Sequence, residues 1–251
     1  MKRSAIGLPI LGIVVVVSGW WLAVLAFDVQ PFVLPAPPDV VDALARLHSY
    51  LLEQTWATLS VTLIGYALAV VVGLFTAGLL TASRTVQQAV LPLLVAANAV
   101  PKIAVAPLMV LWLGFGSSPK IFMAALISVF PVVVAAMAGL TSAPVEFIDL
   151  ARSLSASRWQ TYRKLRIPWA LPQIFVGLKL GIALAVVGTV VGEFAGGDRG
   201  LGYVIVASGG SADTALAFAA MALLSLISVI LFYLVVAVEQ LLLPWARAIT
   251  A

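Results

Sequence analysis

Three features of this 251-residue chain mark an all-α integral membrane protein of about six transmembrane helices. Hydrophobic residues make up 63% of it and charged residues only 10%, where ordinary soluble domains carry about 25% charged residues. The mean hydropathy is +1.15, and six apolar runs are long enough to cross about 30 Å of hydrocarbon at about 1.5 Å per residue. The basic residues outside those runs segregate to alternate connections, as a fixed topology requires. A net charge of +4 would suit a nucleic-acid partner, but these basic residues follow a topology and not a polar surface, so none is expected. Cysteine is absent, which excludes a disulfide framework, Cys-ligated zinc and thiol chemistry.

The chain is expected to be a single transmembrane domain over 1–251. The first span is placed at 8–27. Lys2 and Arg3 precede it, as they would a signal peptide, but cleavage would leave an odd number of spans. The outer connection 28–56 carries Pro31, Pro35, Pro37 and Pro38, then Asp39, which is expected to cap a short amphipathic helix on the outer face. His48, the only histidine, lies on that segment as a solvated side chain. The second span is 57–82 and the third 89–112. In the third, Pro101 and Pro107 are expected to break or kink the helix, and Lys102 lies well inside. A charge within the bilayer is costly, so Lys102 and its neighbour Pro101 are candidates for a pathway or gate, against a lysine that snorkels or pairs structurally. The fourth span is 120–140.

A fifth span at 171–192 carries Gly177, Gly181, Ala185, Gly188 and Gly192, which form one stripe of small residues on a helix. The stripe serves packing within the subunit, packing against a second copy, or a pathway wall, and Gly188 is kept as a pathway candidate. Lys179, two turns from the end of the span, is expected to snorkel. Glu193 closes this span ahead of a Gly-rich outer connection, 193–215, and is a candidate for the outer gate or for contact with a partner, against an ordinary water-facing carboxylate. The sixth span is 216–243. With the N-terminus inside, Lys2, Arg3, Arg84, Arg152, Arg158, Arg163, Lys164, Arg166 and Arg247 are cytoplasmic, and only Arg46, Lys120 and Arg199 are outside. Both termini are then cytoplasmic. Trp20, Trp21, Trp56, Trp112, Trp169 and Trp245 fall near span ends, where amphipathic rings prefer to lie.

Only the cytoplasmic connection 141–168 is dense in charge. Pro144 and Glu146 open a helix with Glu146 and Asp149 near its N-terminal dipole. The pattern restarts after Ser155, and Pro168 and Pro172 are expected to close it. Two short helices joined at Leu154, Ser155 and Ala156 are the expected result.

The run EFIDLARSLSASRWQTYRKLRIPWALP (146–172) resembles the EAA loop of ABC importer permeases, with Asp149, Ala151, Ser155, Pro168 and Pro172 at matching positions. Leu150 stands where that motif has Ala, and Ser155 where it has Gly. LPAPPDVV from Leu34, VPKIAVAPL from Val100, LWLGFG from Leu111 and GEFAGGDRGLGY from Gly192 resemble segments of the nitrate/sulfonate/taurine/thiamine-precursor-type subfamily, in the same order. The resemblance implies a type I importer permease fold in a bacterial inner membrane. It also implies a cytoplasmic ABC ATPase, a periplasmic or lipid-anchored solute-binding protein and a second permease copy, in a homodimer. It implies too that the loop docks in the ATPase, so the coupling candidates are Glu146, Asp149, Ala151, Arg152, Leu154, Ser155, Ala156, Arg158 and Pro168. Leu154 is expected to fill an apolar pocket while Arg152 and Arg158 meet carboxylates.

The chain has no Gly-x-x-x-x-Gly-Lys-Ser/Thr phosphate loop, so it is expected to be a transport subunit and not an enzyme. No cofactor or metal is expected in it, ATP and magnesium belonging to the ATPase, and no catalytic residues are assigned. The implied solutes include nitrate, sulfonates, taurine, thiamine pyrimidine precursors, riboflavin and aromatic acids. The rival is an ion-gradient-driven secondary transporter, which would show inverted repeats and paired intramembrane acids; neither is found in the sequence.

Overall fold

A computed structural model describes residues 4–244, without the side chains of residues 4–6, 9, 10 and 84. Lys2, Arg3, Trp245 and Arg247 lie outside the described residues. Helix α1 spans Ser4–Ala26 and is apolar along its described length. The short α2, Pro37–Arg46, follows on the connection where an amphipathic helix was expected. Its cap differs from expectation. Pro37 and Pro38 occupy the first two helical positions, where a missing N–H costs nothing, and Asp39 at the third accepts a 3.0 Å hydrogen bond from Ala36 N–H. Val40 and Ala43 are its buried face.

Four helices among the described residues are long and apolar enough to cross a membrane: α3 (His48–Ala82), α6 (Ser117–Thr141), the run Arg158–Gly196 and α11 (Thr214–Leu242). A fifth crossing is broken. Helices α4 (Arg84–Ala99) and α5 (Lys102–Leu113) meet at 89°. The cause is Pro101, which drives Val100 out of the helical region to ψ 129°. Pro107 lies inside α5 without ending it. The expected third span is therefore an elbow.

The charged connection folds as α7 (Val145–Ser153), a turn, and α8 (Arg158–Thr161). Pro168 and Pro172 do not close α8, as had been expected. A π turn over Tyr162–Arg166 leads straight into α9 (Ile167–Gly196). The hydrogen-bond ladder widens just ahead of Pro168, with Ile167 N–H reaching Tyr162 O, which gives the ring the room that an α turn would deny it. The outer connection 193–215 is also more ordered than its glycines imply, because it contains α10 (Leu201–Gly210).

Helix α6 is the centre, flanked by α3 and α9 with their backbones close. A side chain on Gly188 would lie 2.6 Å from Met123 O, and one on Gly192 2.8 Å from Lys120 Cα. The glycine stripe of α9 is thus the α6 contact within one subunit. A second stripe faces α6 from the other side: Gly65, Ala69, Gly73 and Ala77 of α3 are all buried. Between apolar helices in lipid, such close approach supplies the dispersion that drives association. Three apolar clusters among the described residues complete the interior. One joins α2, α3, α9, α10 and α11 around Leu51, Ile182 and Leu201, another joins α3, α6 and α9 around Leu80, Val133 and Ala170, and the smallest joins α5 and α6 around Met109 and Met123. Helix α1 reaches the first through Trp20, whose ring lies 5.7 Å from Phe218. Lys179 does not simply snorkel: it donates to Glu239 of α11 at 2.9 Å, an ion pair with both side chains about a fifth exposed, 22% and 19%.

Candidate functional site

The outer end of the bundle holds a polar cluster in an otherwise apolar interior. Glu193, on the last turn of α9, is 2% exposed. Thr58 Oγ1 donates to its Oε1 at 2.8 Å, and Gly202 N–H donates to its Oε2 at 2.7 Å. Gly200 N–H donates to Gln54 Oε1 and Leu201 N–H to Thr58 Oγ1, at 2.7 and 2.8 Å. The first N–H groups of α10, which no helix can satisfy internally, are therefore met by side chains of α3 and α9. Gly200 makes this possible with φ +112° and no Cβ, since a side chain there would run into the Glu193 carboxylate. One turn below, Thr62 and Thr189 hydroxyls share a 2.9 Å bond across α3 and α9.

Lys120, at the start of α6 and 4% exposed, ties down the loop between α9 and α10. Its ammonium donates to Arg199 O at 2.9 Å and to Asp198 Oδ1 at 3.3 Å. The exposed carboxyl of Asp198 is held below the usual carboxylate range, first by its own backbone N–H and then by Lys120. Of these residues only Glu193 was singled out from the sequence as a site candidate. The signal for the others was present, because Gln54, Thr58 and Thr62 recur every four residues as a polar stripe on an apolar helix.

The other pathway candidates lie apart. Pro101 and Lys102 form the α4–α5 elbow, where Lys102 Nζ donates to Asn98 Oδ1. Gly188 is placed in the α6–α9 contact, against Met123 and Ala124.

The opposite end presents the charged turn. No residue of α7 is buried. Its C-terminus closes with two paired bonds: Ala156 N–H to Ala151 O and Ser155 N–H to Arg152 O, both 2.9 Å. This is the Schellman arrangement, and Ser155 takes the left-handed position at φ +56° that glycine usually fills. Ser157 then caps α8 reciprocally with Gln160, at 2.8 and 3.2 Å. The turn projects Leu154 outward at 74% exposure, more than any other leucine of the segment. Arg152 pairs with Asp149 at 2.9 Å, Glu146 and Arg158 are exposed, and Phe147 packs on Trp169. Pro168 lies beyond the turn, near the start of α9. The coupling candidates 146–158 are thus contiguous on one protruding surface.

Residues 69–247 match the model of the family described as "Binding-protein-dependent transport system inner membrane component". The chain belongs to that family. It is 39% identical over 243 residues to the riboflavin transport system permease protein RibX of Chloroflexus aurantiacus, covering 96% of this chain and 90% of the relative. It is 34% identical to the formylaminopyrimidine transport permease protein ThiX of Halalkalibacterium halodurans, covering 98% of this chain and 99% of that one. It is 30% identical to the taurine transport system permease protein TauC of Escherichia coli, covering 92% and 86%. Among solved structures, a chain of the inward-facing MetNI methionine ABC transporter superposes with a TM-score of 0.69 at 18% identity, over 78% of this chain and 97% of that one. The fold is that of type I importer permeases, and the chain is a multi-pass permease subunit of an ABC transporter.

Proposed function

We propose that this chain, as a single transmembrane unit, forms half of the translocation pathway of an importer whose ATP is bound and hydrolysed by separate cytoplasmic subunits. The observation that carries this is the protruding α7–α8 turn: a capped, well-defined loop with an apolar residue at its tip and nothing of its own to bury against. A surface of that kind fits a partner's pocket. Leu154 enters an apolar pocket of the ATPase, Ala156 leaves room for it, and Arg152 and Arg158 meet its carboxylates. Glu146, Asp149, Ala151 and Ser155 give the turn its shape, and Pro168 marks where the coupling segment runs into α9. The basic residues that flank the turn favour a bacterial inner-membrane orientation with both termini in the cytoplasm. A second copy of the chain completes the pathway, and an external binding protein, periplasmic or lipid-anchored, delivers the solute.

ATP binding closes the ATPase pair and rocks the two permease halves outward; hydrolysis resets them, and transport follows from the difference in solute affinity between the two states. Pro101 and Lys102 at the elbow and Glu193 are the gate and pathway positions in this scheme, whereas Gly188, packed against Met123 and Ala124, serves the α6–α9 contact and lines no pathway. Two of the relatives named above carry nitrogen heterocycles in their names, riboflavin and formylaminopyrimidine, which favours a small heteroaromatic solute over a sulfonate.

The test is affinity purification of the tagged chain in mild detergent, with mass spectrometry of what accompanies it. A stoichiometric ABC ATPase is expected, and Leu154→Asp is expected to lose at least nine-tenths of it while the permease stays in the membrane. If the ATPase stays bound to Leu154→Asp and uptake is unchanged, the docking assignment is wrong.

A further inference from the structure

Beneath the α7–α8 turn, the nearby end of α3 and the start of the long helix border a half-open cavity of about 860 Å³. Its two walls differ in kind. On α3, Leu74, Phe75 and Leu79 make an apolar wall, with Phe75 and Leu79 exposed by 67% and 52%. The facing wall carries Arg152, Arg158 and Arg166, with Trp159 stacked on Tyr162 at 6.2 Å. Arg152 already has Asp149. Arg158 and Arg166 have no acidic partner among the described residues.

Two facts single these arginines out. First, the backbone is bent to the task. An α-helix turns about 100° per residue, so eight residues would swing Arg166 roughly 80° away from Arg158. The π turn over Tyr162–Arg166 winds less per residue and takes up part of that offset, and Arg158, Tyr162 and Arg166 all line the one cavity. Such turns inside helices recur at functional sites. Second, the cavity lies where the apolar run of α3 ends at Ala82, so it straddles the level at which hydrocarbon gives way to headgroups. Trp159 and Tyr162 beside it are of the residue types that favour that level.

A free phosphate ion would meet the arginines and leave the apolar wall wet. A zwitterionic lipid would cover the wall and bring the guanidiniums no net charge. A molecule with both an anionic head and acyl chains satisfies each wall. We propose that this cavity holds an anionic phospholipid, its phosphate on Arg158 and Arg166 and its upper acyl chains along Phe75 and Leu79. The lipid fills the space behind the turn and leaves Leu154 facing outward. The proposal rests on the chain spanning a membrane; because Arg158 borders both the turn and the cavity, Arg166→Gln alone, outside the ATPase contact, should lower phosphatidylglycerol retention roughly fivefold while the ATPase stays bound.

The experiment is native mass spectrometry of the full-length chain in mild detergent, with phosphatidylglycerol or phosphatidylcholine at equal concentration. Phosphatidylglycerol should be retained at least about tenfold better. The double variant Arg158→Gln, Arg166→Gln should bring it down to the level of phosphatidylcholine, at roughly fivefold per arginine. Arg163→Gln, which removes an exposed charge outside the cavity, should leave retention unchanged. Equal retention of the two lipids, an equal loss in Arg163→Gln, or displacement by millimolar inorganic phosphate would overturn the assignment. Should the double variant fail to fold, the comparison of the two lipids on the unaltered chain decides it.

Discussion

Glu193 accepts a hydroxyl and a backbone N–H on its two oxygens, and Gln can accept only on one. Glu193→Gln therefore keeps the volume but turns an NH2 toward either Thr58 or Gly202. A buried donor left unmatched costs about 1–3 kcal/mol, so a clear fall in Tm is expected. The seven tryptophans allow it to be read by intrinsic fluorescence. Ser155 offers the opposite case. Its left-handed φ costs a non-glycine residue about 1–2 kcal/mol, and glycine removes that strain while adding entropy to the unfolded chain. Ser155→Gly should leave the unfolding free energy within about 1 kcal/mol of the starting protein's and keep the ATPase bound. Ser155→Val places a β-branched residue where φ is positive, and should lose ATPase co-purification. That Ser155 would make the turn was legible from its place in the motif. That Glu193 would meet Thr58 was not, because the partner is 135 residues away and no local pattern pairs them.

Helix pairing is set by what is missing from the helices. Gly188→Leu would push side-chain atoms into the backbone of Met123 and Ala124, so α6 and α9 must separate and the chain should fail to accumulate in the membrane. Gly209→Leu, on α10 with nothing within 4 Å of the added Cβ, is the matched control and should accumulate normally. The α9 stripe could be seen in the sequence; which helix it faces could not, since small residues show that something comes close and not what. The same four-residue spacing was equally visible in Gly65, Ala69, Gly73 and Ala77 of α3. Proline proved the least legible signal. Pro101 breaks its helix because Val100 yields to it, while Pro107 and Pro172 stay inside helices and Pro168 is accommodated by a π turn. Local chemistry gives each ring the same tendency, and the surrounding packing decides which of them prevails.

Six spans were expected and the described residues hold four plus the bent pair, so the sidedness rests on the alternation of charge, which labelling can check. The chain has no cysteine, so single-cysteine variants need no background changes. With a membrane-impermeant maleimide, Ser211→Cys should label in intact spheroplasts, and Ser153→Cys only after permeabilisation; both serines are exposed. The reverse pattern would invert the topology. The crossings were legible because about twenty apolar residues in lipid have few options but a helix. Their ends were less so: α3 begins at His48 and the long run into α9 at Arg158, both well ahead of the apolar runs themselves. The added turns of α3 are held by burial of Leu51 and Gln54, and the start at Arg158 by the Ser157–Gln160 cap, neither of which hydropathy registers.

The run Arg158–Gly196 is 39 residues without a break, roughly 58 Å of continuous rod. Its lower end carries the charged turn and its upper end carries Glu193. A beam of that length works as a lever: tilting it by about 5° about one end moves the other by roughly 5 Å, nearly a full helical turn of about 5.4 Å. The π turn lies near its base, where the widened ladder interrupts the regular winding. Whatever grips the charged turn therefore has the whole shaft to pull on.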